Sequence, residues 1–196
     1  APTGIYESLD HVEEIIKNNP DVIVIVDEAY IDFGGETALP LIDKYDNLVV
    51  VRTFSKSRSM AGLRIGYAIS NPELIKALND VKYSYNSYTM NRPSLVLGVE
   101  SIHDDAYFRE KVGQIIATRE RFVKEIAELG FTCLPSSANF VFATHESIPA
   151  KEIFAAAKEN NIYVRYFDKP RIDNYLRISI GTDAEMDVFV SFLSKY

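Results

Sequence analysis

Apolar residues follow two rhythms in the first part of the chain. Leu9, Val12, Ile15 and Ile16 recur at helical spacing and stop at Asn18-Asn19-Pro20, which predicts a helix over 8–19. Val22 to Val26 is an unbroken β-branched run, the pattern of a strand buried on both faces of a parallel sheet. Leu48 to Val51 repeats it, and Ile65 to Ile69 is a third strand candidate. Asn71-Pro72-Glu73 offers an N-cap and a proline at the first helical position, with Leu74, Ile75, Leu78 and Val81 on one face. Strands and helices in alternation predict an α/β arrangement.

From about Asp104 the rhythm changes. A long amphipathic stretch carries Phe108, Val112, Ile115, Phe122 and Ile126 and ends at Gly130. Short strands are predicted near 139–143, 162–166 and 175–180, with a helix over 150–159 between the first two. The last helix opens on the capping box Thr182-Asp183-Ala184-Glu185 and turns Met186, Phe189, Val190 and Leu193 inward. The expected organisation is therefore an α/β part over 1–103 and a small α+β domain over 104–196. No internal repeat is visible.

Composition narrows the function. The chain is 47% apolar and 25% charged, as in ordinary globular proteins, and its net charge of −7 argues against a nucleic-acid partner. Arg52, Lys56, Arg58 and Arg64 form a local basic cluster that suits a small anionic ligand. The single cysteine, Cys133, excludes an intrachain disulfide and a cysteine-rich metal site, reads as a small buried apolar residue, and fits a reducing cytoplasmic setting. Val22 to Val26 is too short to cross a bilayer, so no membrane role is expected. Ala1-Pro2-Thr3-Gly4 has neither an initiator Met nor a signal pattern, so the numbering is expected to begin inside a longer protein. His11, His103 and His145 are scattered without metal-ligand spacing, and no metal site is expected. There is no P-loop and no G-x-G-x-x-G fingerprint.

The candidate chemistry lies in loops next to these strands, because ligands in open α/β sheets collect at the carboxyl ends of parallel strands. Asp27 and Tyr30 follow the first strand. A carboxylate there needs a cationic partner, and a pyridinium nitrogen would serve. Thr53-Phe54-Ser55-Lys56 follows the second strand. A partly enclosed lysine can condense with an aldehyde, and the flanking hydroxyls suit a phosphate. Arg64, eight residues past Lys56, can grip a phosphate bidentately. Taken singly, each has an ordinary reading: a helix cap for Asp27, a solvated loop lysine, a surface arginine.

Taken together, they resemble the fold-type-I pyridoxal-phosphate (PLP) aminotransferases. That family places an aspartate and a tyrosine three apart, a Ser/Thr-x-x-Lys, and an arginine eight past the lysine. Asp27 and Tyr30, Thr53 and Lys56, and Arg64 match, and Pro2-Thr3-Gly4 looks like the end of the family's Asn-Pro-Thr-Gly turn. The resemblance spans all 196 residues and departs at Ala1, where many relatives carry asparagine. It implies PLP as cofactor, with Lys56 as its covalent anchor and proton carrier. Asp27 would face the ring nitrogen, Tyr30 the ring oxygen, and Thr53, Ser55 and Arg64 the phosphate. It also implies the carboxyl-terminal part of a large domain, a mostly parallel sheet with helices, followed by the small domain. The partners it implies are a small-molecule amino donor, a 2-oxo acid, and a second subunit in a homodimer of the parent protein.

Within the family, three stretches resemble the members from histidine biosynthesis, whose amino substrate carries a distal phosphate. They are Val164-Arg165, Leu176 to Thr182, and Tyr85-Asn86-Ser87-Tyr88. In those members the arginine matching Arg177 holds the α-carboxylate of the glutamate half-reaction, and the one matching Arg165 helps hold the distal phosphate. The ordinary reading of Arg165 is a strand-edge charge. Transamination of aromatic amino acids and decarboxylation of a phosphothreonine use the same scaffold and arginines. A folded fragment without activity is the alternative of another class.

Overall fold

The computed structural model describes residues 1–195 and divides them into two compact units. One is Glu7–Arg109. The other joins Ala1–Tyr6 to the chain from Glu110 onward.

In the first unit, α1 (Leu9–Lys17) starts at Ser8, whose hydroxyl accepts the His11 N–H. A three-stranded sheet follows, in the order β1 (Val24–Asp27), β2 (Leu48–Thr53), β3 (Gly66–Ile69). β1 and β2 run parallel from Val24↔Leu48 to Asp27↔Val51, whereas β3 is antiparallel to β2. Among the described residues this sheet is mixed rather than mostly parallel. Ile16, Leu48 and Val50 are buried and pack with Ala38 and Leu41.

β1 is not buried on both faces: Ile25 is 63% exposed, and the strand pairs with β2 alone among the described residues. Asn71 caps α2 (Pro72–Tyr85) as its sequence predicts, accepting the Glu73 and Leu74 N–H groups, yet α2 buries no residue. α3 (Arg92–His103), capped by Asn91, exposes Leu95, Val96 and Val99.

The second unit holds the larger core. β4 (Phe131–Cys133), β5 (Phe140–His145), β6 (Arg165–Tyr166) and β7 (Leu176–Ser179) form an antiparallel sheet in the order β4-β5-β7-β6. α4 (Asp105–Ala127), α5 (Ala150–Glu159) and α6 (Asp183–Leu193) supply Phe122, Ile153 and Phe189 to a core shared with Val141, Leu176 and Ile178. The Phe122 and Phe189 rings stack 5.9 Å apart. The capping box opens α6 as predicted: Glu185 N–H donates to Thr182 Oγ1, and Thr182 N–H donates to Glu185. The strand predicted over 162–166 shrinks to two residues, because only Arg165 and Tyr166 find partners on β7.

Candidate functional site

Parallel pairing of β1 and β2 brings their carboxyl ends level, with Asp27 opposite Val51 and the Glu28 N–H donating to Val51 O at 2.9 Å. Successive side chains point to opposite faces of a strand. Asp27 is exposed, and one of its oxygens accepts the Ala29 N–H at 3.0 Å. Glu28 is buried instead. Its carboxylate accepts the Ala38 N–H at 2.6 Å, the Thr37 hydroxyl at 2.8 Å, and Arg52 Nε and Nη2 at 2.9 and 2.8 Å. Burial works against the Arg52 charge, but Glu28 and Tyr67 raise its pKa above the ordinary value.

This pairing corrects the basic cluster expected from the sequence, because Arg52 is already neutralised by Glu28. Arg58 is committed as well. Its guanidinium lies 4.0 Å from the Phe108 ring centroid and donates to Ser101 O at 2.5 Å. Lys56 and Arg64 are the two members left for a ligand.

The segment after β2 is a tightly bonded turn. The Thr53 hydroxyl donates to Ile65 O at 3.2 Å and accepts the Ser55 N–H at 3.1 Å. Ser59 N–H reaches Lys56 O, and Met60 N–H reaches Phe54 O, both at 3.0 Å. Ser59 and Arg64 both adopt φ of +56°, a left-handed conformation uncommon for side-chain-bearing residues and concentrated at ligand sites. Two ties hold the turn from outside: the Ser57 hydroxyl donates to Asp32 at 2.5 Å, and the buried Ser94 of α3 donates to Leu63 O at 3.0 Å. Gly98 lets α3 approach, since a Cβ there would meet Ile65 Cδ1 at 2.9 Å.

Lys56 is half-buried with its ammonium 5.5 Å from the Tyr30 ring centroid. Arg64 is exposed and donates one N–H to Ala61 O at 2.9 Å. The Ser55 hydroxyl has no partner among the described residues. An exposed carboxylate at a strand end, a half-buried lysine, a free hydroxyl and an exposed guanidinium with donors to spare form a set that fits PLP. The carboxylate suits a protonated ring nitrogen, and the hydroxyl and guanidinium suit a phosphate.

In the second unit, Arg165 pairs with Arg177 across β6 and β7. Arg177 lies 5.1 Å from the Phe140 ring centroid and Arg165 lies 5.5 Å from that of Phe167. Arg177 Nε is buried without a hydrogen-bond partner. The Pro2-Thr3-Gly4 turn also belongs here: Gly4, at φ +78°, accepts the Ser137 N–H at 2.8 Å. Ala1 is exposed and has no side-chain donor.

The remaining candidates are structural. His145 is buried, with Nε2 3.0 Å from Leu129 O and Nδ1 accepting the Ser147 and Ile148 N–H groups. Cys133 is half-buried, and burial pushes its thiol up to about 11. Among the described residues no three His, Cys, Asp or Glu side chains converge on a metal-sized site, and no helix is long and apolar enough to cross a membrane.

The family model for aminotransferase class I and II matches residues 1–193. The histidinol-phosphate aminotransferase of Brachyspira hyodysenteriae is 53% identical over 191 residues, covering 97% of this chain and 54% of that protein. Histidinol-phosphate aminotransferase 2 of Dechloromonas aromatica is 52% identical over 195 residues, covering 100% of this chain and 55% of that protein. The chain thus spans about half the length of the curated relatives it matches. Among solved structures, the histidinol-phosphate aminotransferase of Sinorhizobium meliloti, in complex with pyridoxal-5′-phosphate, superposes with a TM-score of 0.86 at 27% identity, covering 99% of this chain and 54% of that one. The enzyme of that name from Clostridium acetobutylicum gives 0.90 at 25% identity, covering 99% of this chain and 60% of that one.

Proposed function

The chain belongs to the class I and II aminotransferases, a PLP-dependent family, and from that premise we propose that its parent protein moves the amino group of histidinol phosphate to 2-oxoglutarate. The observation that carries the substrate is the Arg165–Arg177 pair. Like charges directly opposite on neighbouring strands repel, and a partnerless buried Nε adds a desolvation cost. An anionic substrate group relieves both. Arg177 would take the α-carboxylate of glutamate, and Arg165 would help take the phosphate of histidinol phosphate. The similarity to relatives of that name supports the same choice.

When bound, PLP supplies an aldehyde that captures amines and a ring that accepts the electron pair left as the substrate Cα loses its proton. Asp27 would hold a proton on the ring nitrogen, and Tyr30 would donate to the ring oxygen. Ser55 and Arg64 would hold the phosphate, with Thr53 setting the turn that presents them. Lys56 would anchor the cofactor until the substrate amine displaces it. Its freed amine would then take the proton from Cα and return it to the cofactor C4′ carbon, base first and acid second. The working unit we propose is a homodimer in the cytoplasm.

The test uses the full-length protein. With PLP it should show the visible band of a lysine-linked cofactor, and Lys56→Ala should abolish that band. A full-length protein that stays colourless would overturn the cofactor assignment. Single-turnover rates with histidinol phosphate, phenylalanine and O-phosphothreonine then rank the substrates. A faster reaction with phenylalanine would favour an aromatic-amino-acid aminotransferase, and decarboxylation of O-phosphothreonine would favour the decarboxylase reading.

A further inference from the structure

Glu28 and Arg52 lie next in sequence to the candidate cofactor residues: Glu28 immediately follows Asp27, and Arg52 immediately precedes Thr53. Strand alternation turns the pair to the face opposite Asp27 and Thr53. The Glu28 side chain is 3% exposed and that of Arg52 21%, so the bond between them is shielded from water. Thr37 bridges the two, donating to Glu28 at 2.8 Å while accepting Arg52 Nη2 at 2.8 Å. The bond therefore ties the carboxyl ends of β1 and β2 at one level, beside the residues that would meet the cofactor.

The geometry points to Glu28 and Arg52 as a positioning pair that fixes Asp27 relative to Lys56; this rests on the cofactor assignment above. The backbone bond from Glu28 N–H to Val51 O sets the strand spacing at one point. The Arg52 Nε and Nη2 donors, converging on Glu28 Oε2, fix the two side chains at a second point. Glu28 and Asp27 share one peptide plane, so a backbone shift at Glu28 moves the Asp27 Cα and the carboxylate it carries. The Ser57–Asp32 bond makes a second tie between the lysine turn and the segment after Tyr30. Neither Glu28 nor Arg52 would touch the cofactor.

A positioning role predicts a change that lost stability alone would not produce. If Asp27 drifts from the ring nitrogen, the ring loses positive charge, and the lysine–cofactor nitrogen becomes more basic. The midpoint of the visible-band pH titration then moves upward. In the full-length protein, Glu28→Gln should weaken PLP binding about tenfold and raise that midpoint by about one unit. The turnover number should fall, while KM for the amino donor changes little. Glu28→Asp, which keeps the charge, should recover part of each effect.

Thr37→Val removes the bridging hydroxyl without leaving a buried charge alone, and should give about a threefold loss of PLP affinity with a smaller upward shift. If Glu28→Gln does not fold, as judged by circular dichroism, Thr37→Val decides the matter. Wild-type affinity and midpoint in the folded variants would overturn the positioning role. Failure of the cofactor assignment looks different: wild-type protein then shows no band that depends on Lys56.

Discussion

Arg165 stands directly opposite Arg177 on the β6–β7 ladder, and the structure gives neither guanidinium a carboxylate partner among the described residues. The two arginines should separate by half-reaction. If Arg177 holds the glutamate carboxylate as proposed, Arg177→Ala in the full-length protein should raise KM for glutamate roughly tenfold to a hundredfold, the equivalent of about 1.5–3 kcal/mol. Arg165→Ala should raise KM for histidinol phosphate by a similar factor and leave glutamate less affected. Stopped-flow half-reactions with each donor measure this directly. Undiminished histidinol phosphate turnover in Arg165→Ala would remove Arg165 from the phosphate site.

Phe122 is fully buried on α4 and stacks on Phe189. Truncation leaves a cavity that the surrounding helices and sheet cannot fill, so Phe122→Ala should lower stability by about 3–5 kcal/mol. Val188, on the outer side of α6 and 62% exposed, makes the control, and Val188→Ala should stay within about 0.5 kcal/mol of wild type. Urea unfolding followed by circular dichroism compares them. Equal midpoints for the two variants would contradict the packing described.

Gly130 closes the turn that follows α4 at φ +84°, where a Cβ would meet His145 Nε2 at 2.9 Å. That nitrogen is already bonded to Leu129 O, so the ring cannot move away freely. Gly130→Ala should therefore cost about 1–2 kcal/mol from the left-handed backbone alone, and more from the displaced imidazole. Differential scanning calorimetry should show a lower Tm than wild type, and an unchanged Tm would refute the contact.

These elements differ in how far the sequence shows them, and the difference is one of range. Gly130, Asn71 and the Thr182–Glu185 box act within a few residues of the helix ends they define, so pattern alone places them. The Asp27, Lys56 and Arg64 motif is visible because each residue sits in or beside a loop joined to a strand. The Glu28–Arg52 bond joins residues 24 apart through a strand register that no local pattern encodes. Arg58 reads as a charge in sequence, whereas its stacking on Phe108 depends on tertiary packing. The period of α3 is weakly marked, because Leu95-Val96-Leu97-Gly98-Val99 has no polar position to set a face. The β-branched run of β1 shows that both faces could be buried. Which faces are covered depends on neighbouring strands.

One polar link between α4 and α6 should weaken in acid. Asp183 accepts the Thr118 hydroxyl at 2.8 Å and Arg121 Nη2 at 3.0 Å, and these hold its carboxyl below the usual carboxylate range, Thr118 contributing first. A carboxyl with a depressed folded-state pKa contributes its stability above the unfolded-state value, about pH 3.9 for aspartate. That contribution falls away as pH drops through the folded-state value. Asp183→Asn should therefore be less stable than wild type at neutral pH, and the gap should narrow below about pH 4. Unfolding midpoints at a series of pH values test this. A gap that stays constant through the acid range would show that the Asp183 charge does not link the two helices.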